Sequence, residues 1–187
     1  MNQTIETTKT HLVTHRRKYL IGVSIAVVLA ALIALFLYNY HPKVTYKAQN
    51  ACELFTPAKA QDLLGDHVIN VNTNKTTIDG NVGTSKCSYT DSNANQNQMK
   101  VAAVAIRSGI NDAGVAQNNK EFASAKGRGT MQAVQNIGND AFFNPALGQL
   151  NILSDRMWII VSSGIGATPE NNTLSDDLTL ARKVLSN

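Results

Sequence analysis

GQLNILSDRMWIIVSSG, residues 148–164, decides how this chain folds. GQLNIL and RMWIIVSSG are two runs rich in β-formers, and they flank a tight turn at Ser154-Asp155, the pattern of an antiparallel hairpin. MKVAAVAIR (99–107) reads as a mostly apolar, central strand, and TSKCSYT (84–90) as another between turn residues. Asp79-Gly80 is a good turn pair ahead of it.

Helices separate these strands. TPAKAQDLLG has Thr56 as N-cap, Pro57 at the first helical position and Gly65 just past the end. NNKEFASAKG (118–127) reads as helix stopping at Gly127. The last helix has Ser175 as N-cap, Asp176 and Asp177 in its first turn, and Leu178, Ala181, Val184 and Leu185 on one face. Helix, strands, helix, hairpin and helix predict an α+β fold, a mainly antiparallel sheet with packed helices.

This domain is expected over residues 51–187, behind a cytoplasmic tail (1–18), a transmembrane helix (19–40) and a linker (41–50). Tyr19 to Tyr40 contains no charged residue, and a helix of that length spans roughly 33 Å, enough for a hydrocarbon core of about 30 Å. The run is longer than a signal-peptide core and no A-x-A pattern follows it, so a retained anchor is expected. Arg16, Arg17 and Lys18 place the N-terminus inside and the domain outside the cytoplasmic membrane.

The formal net charge of +4 gives no nucleic-acid footprint. Lys9, Arg16, Arg17 and Lys18 stand against Glu6 in the tail, and the rest of the chain holds 13 basic and 12 acidic residues. A basic balance beside an apolar run is a topology signal, whereas a nucleic-acid partner needs clustered cations on a folded face.

Cys52 and Cys87 admit three readings. A lipid anchor would put Cys52 directly behind the apolar run, but that run ends twelve positions earlier. A catalytic thiol needs a nearby base, and of four histidines only His67 falls in the domain. A disulfide fits best, since both cysteines lie on the side expected outside, where disulfides persist.

CELFTPAKAQDLLG followed by CSYTD resembles the C-x-L-[LF]-T…L-L-G…C-x-Y pattern of an actinobacterial cell-envelope lipoprotein family of unknown function. It is also similar to PknH-type extracellular sensor domains. VQNIGNDAFFNPALGQLNILSDRMWIIVSSG and the terminal ARKVL match later parts of the same pattern. The lipoproteins carry their lipid on an additional upstream cysteine, and the sensor domains have more disulfides and a kinase upstream. The resemblance implies an envelope-facing binding or sensing module, with no catalytic residues to carry over.

Catalytic, cofactor and metal motifs are missing. G-x-S-x-G, S-x-x-K, H-E-x-x-H, C-x-x-C and the phosphate-loop pattern do not occur, and no calcium loop is present. One domain histidine and two paired cysteines cannot supply a zinc site. GRG (127–129) and SSGIGATP read as helix-end and loop glycines, and Asp176 and Asp177 as dipole partners. Arg107, Lys126 and Arg128 read as solvated surface, Trp158 as sheet core, and Asn74 and Asn171 head sequons of use only to a glycosylating host. The candidate interaction residues are Phe142, Phe143 and Asn144: adjacent residues in extended chain point to opposite faces, so one phenylalanine is expected in the open.

The expected function is a membrane-anchored, extracytoplasmic, non-catalytic domain that binds or senses a protein or envelope ligand, lipid included. The alternatives are a cell-envelope enzyme of unrecognised type and a signal transducer acting through its short tail.

Overall fold

The computed structural model of the chain describes residues 27–36, 44–92, 95, 98–166 and 171–186. It divides into two compact units, Met1–Lys43 and Val44–Asn187. In the first, residues 27–36 form a helix, α1, whose Val27, Leu32, Ile33 and Phe36 side chains are exposed. Among the described residues no helix is long and apolar enough to cross a membrane, and 19–26 and 37–40 of the expected anchor lie outside them. So do residues 1–18 and 41–43.

The second unit is α+β. Its elements are α2 (Ala51–Leu54), α3 (Pro57–Leu64), β1 (Val68–Asp79), β2 (Val82–Asp91), β3 (Lys100–Gly109), α4 (Asp112–Lys126), β4 (Gln132–Val134), β5 (Asp140–Asn144), β6 (Gln149–Ser154), β7 (Met157–Ile165) and α5 (Leu174–Leu185). The strands form one seven-stranded sheet, order β1-β2-β3-β7-β6-β5-β4, with every neighbouring pair antiparallel.

The hairpin at 148–164 forms as the sequence predicts, with Ser154 opposite Met157. Its two turn residues are Asp155 and Arg156, one step later than expected, and Asp155 takes a left-handed φ of 50°. Gly80 and Asn81 make the β1–β2 turn, where Gly80 supplies a φ of 56° at no steric cost. Thr56, Pro57 and Gly65 bound α3 as predicted. Helix α4 starts at Asp112, earlier than expected, because Asn111 caps it by accepting from the Gly114 N–H. Thr173, not Ser175, caps α5. The expected linker is also part of the domain from Val44 on: the Tyr46 N–H donates to the Ile110 carbonyl at 2.8 Å and Thr45 bridges to Asn111.

Directly opposed residues on neighbouring strands share a face. One row runs Cys87, Val104, Val161, Leu150, Phe143 across five strands, and all five are buried. Helices α2, α3 and α5 close this face with Ala51, Phe55, Ala60, Leu64, Leu180 and Val184. Cys52 of α2 is bonded to Cys87 of β2, with Cα atoms 5.1 Å apart. The spacing lies within the usual disulfide range, and the bond fixes the helical entry segment to the sheet.

Among the described residues the opposite face has one helix, α4. Its Phe122 is fully buried against Phe142 at 5.1 Å and Trp158 at 5.8 Å between ring centroids. Glycines let α4 approach the sheet. A Cβ on Gly114 would fall 2.0 Å from the Asn81 carbonyl oxygen, and one on Gly109 would fall 2.5 Å from the Val115 nitrogen. Buried Asn118 fixes the contact by donating to the carbonyls of Arg107 and Arg156.

Candidate functional site

On the α4 side of the sheet the corresponding row runs Lys86, Ala105, Ile160, Asn151, Phe142. It grades from exposed at Lys86, through half-buried Ala105 and Ile160, to buried Asn151 and Phe142. Helix α4 therefore covers one part of this face and leaves the β1–β2 side open. A cavity of about 640 Å³ occupies the open part. That volume is within the range of sites for drug-sized ligands.

Its floor is apolar, formed by Ala105 on β3 and by Trp158 and Ile160 on β7. The Trp158 ring is held on two sides, edge-on to Phe122 and through its indole N–H, which donates to Asn151 Oδ1 at 3.0 Å. Thr77 and Thr84, a directly opposed pair on β1 and β2, put hydroxyls on the wall. Lys75, Lys86 and Arg107 supply three cations. The guanidinium of Arg107 is paired with Glu121 of α4, and that contact holds the Glu121 carboxyl well below the usual carboxylate range. Gln117 also donates to Glu121, at 2.9 Å. Lys75 and Lys86 have no ion-pair partner among the described residues. The cavity thus has an apolar aromatic floor and a rim with two uncompensated positive charges.

Among the expected site residues, the structure brings Cys52 and Cys87 together. It corrects the expectation for Phe142 and Phe143. They do point to opposite faces, but both faces are covered there: Phe142 lies under α4 and Phe143 in the main core, at 2% and 6% exposure. Asn144 is half-buried and accepts from the Ala146 N–H. With Phe142, Arg128 and Trp158 it lines a second cavity of about 320 Å³ on the same face. Trp158, expected in the core, is half-buried and borders both cavities.

Arg107 is expected on solvated surface from the sequence, and no motif marks Lys75 or Lys86. A periodic signal was present only in β2, where Thr84 and Lys86 alternate with buried Ser85 and Cys87. Asp177 is a second residue whose setting was missed. Its carboxylate is fully buried and accepts from the Ser163 N–H at 2.6 Å and the Leu150 N–H at 3.0 Å, joining α5 to β7 and β6. Burial pushes this carboxyl up to about 7, against the two backbone N–H bonds that pull it down. Among the described residues no group of three His, Cys, Asp or Glu side chains is placed to hold a metal ion.

Compared with protein-family models, with curated proteins and with solved structures, the chain matches none.

Proposed function

We propose that this protein is a membrane-anchored, extracytoplasmic domain that binds or senses an envelope ligand without transforming it. The observation that carries the reading is the half-covered sheet face with its cavity of about 640 Å³ above Trp158 and Ile160. A floor fixed by Phe122 and Asn151 is preorganised for binding, since its aromatic ring need not be ordered when a ligand arrives. The uncharged run from Tyr19 to Tyr40 behind Arg16, Arg17 and Lys18 supports the anchor and its N-inside orientation. The Cys52–Cys87 bond supports an oxidising compartment for the domain. Resemblance to envelope lipoproteins and PknH-type sensor domains points the same way.

Native mass spectrometry of the full chain, taken from its own membrane in mild non-ionic detergent, tests the proposal. A bound mass should accompany the wild type and be lost from Ala105→Trp, which fills the cavity floor. An adduct that persists in Ala105→Trp would place the ligand elsewhere, and turnover of the recovered ligand by the protein would replace binding with catalysis.

A further inference from the structure

We infer that the ligand of this cavity is a small organic anion with a flat or branched apolar body. This inference rests on the binding reading above and adds the chemical class.

Three observations on the same site carry it. First, Lys75 and Lys86 stand on neighbouring strands at the rim without an anionic partner among the described residues. Second, the Glu121 carboxylate beside Arg107 is already engaged by Arg107 and Gln117, so it does not cancel the lysines. Third, the floor is Trp158, Ile160 and Ala105, which offers a ligand carbon and an aromatic face in place of polar partners. An anionic head at the lysines leaves its apolar body over the floor, and the Thr77 and Thr84 hydroxyls stand between the two. A neutral apolar ligand would leave the lysines unused, and a small inorganic anion would leave the floor wet. The cavity is sized for a single drug-like molecule.

The test uses the full chain in non-ionic micelles and two naphthalenes of equal shape, naphthalene-2-sulfonate and neutral naphthalene-2-sulfonamide. Trp158 is the one tryptophan of the chain, so its indole N–H resonance is assigned without ambiguity, and the lysine variant below separates binding at this floor from binding in the second cavity that Trp158 also borders. The sulfonate should shift that resonance saturably and bind about tenfold more tightly than the sulfonamide, the range of a hydrogen bond to a charged group. Lys75→Gln with Lys86→Gln should remove this preference and leave the ligand-free Trp158 resonance in place, because both lysines are exposed. Added salt should weaken the sulfonate and spare the sulfonamide. Equal binding of both compounds, unchanged in the double variant, would overturn the anion inference while leaving a binding cavity. If neither compound moves Trp158, the cavity is not a binding site and the underlying reading fails with it.

Discussion

Asp177→Asn should flatten the pH dependence of this domain's stability. Asp177 is fully buried and accepts two backbone N–H bonds, and burial raises its carboxyl from 3.8 to about 7. The folded state therefore holds this proton more tightly than the unfolded chain does. The stability it contributes is complete below about pH 4 and is lost as pH rises through 7. Three pH units at about 1.4 kcal/mol each set an upper bound of about 4 kcal/mol on that loss. Chemical unfolding of the full chain in micelles, followed by Trp158 emission from pH 4 to 8.5, measures it directly. Asp177→Asn should remove most of the slope, at a cost of about 1–3 kcal/mol at low pH because one N–H then faces an amide N–H. Asp177→Ala orphans both the Leu150 and Ser163 N–H groups and should cost about 2–5 kcal/mol at every pH. A wild-type slope that survives unchanged in Asp177→Asn would refute the assignment.

Replacing Cys52 and Cys87 together with serine reopens a loop whose ends are 35 residues apart, and should lower unfolding stability by about 4 kcal/mol on the chain-entropy relation. Equal denaturant midpoints for the variant and the oxidised wild type would show that the bond adds nothing. Phe122→Ala deletes a fully buried ring between Phe142 and Trp158 and should cost about 3–5 kcal/mol, visible as a lower unfolding midpoint. Gly114→Ala should destabilise by more than helix propensity can return, since its Cβ meets the Asn81 oxygen; thermal unfolding decides the sign. External protease on intact cells should cut the domain while sparing the first 18 residues, and a fully protected domain would reverse the topology.

Much of the sheet was legible because its inner strands obey local rules. β3 is a run of Val, Ala and Ile, β2 and β7 carry β-formers between turn residues, and α3 has a cap, an N1 proline and a closing glycine. β1 escaped for the opposite reason. Its sequence VINVNTNKTTID is half Asn and Thr, and its Ile69, Val71 and Ile78 point into the open, so no apolar face marks it. Pairing with β2 through the Gly80-Asn81 turn makes it a strand, with register shifts at Asn70/Asn72 and Asn74/Thr77. One β5 phenylalanine was expected in the open because the alternation of side chains along an extended stretch says nothing of what covers each face. Long-range pairing of Asp140 with Leu153 and Phe143 with Leu150 sets β5 where both faces are covered. Asp177 could not be read at all. A first-turn aspartate looks the same whether it faces water or the backbone of two strands 14 and 27 residues away.

The cavity was hidden for a related reason: it is a consequence of coverage, which no single segment encodes. Strands lie about 4.8 Å apart, so seven of them span roughly 29 Å, whereas a helix with its side chains is about 10–12 Å wide. Three helices on the Cys87 face can close most of that width, and α4 alone on the other face cannot. Close approach through Gly109 and Gly114 seats α4 over β3 and β7, with Phe122 reaching to β5, and so leaves β1 and β2 uncovered. There the cavity lining includes exposed Lys75, Thr77, Thr84 and Lys86, which tolerate water, while Ile160 and Trp158 remain half-buried between the helix and the opening. The sheet therefore keeps an aromatic, half-dry floor beside a cationic rim, and a ligand that supplies both an apolar body and a negative charge is what would complete that surface.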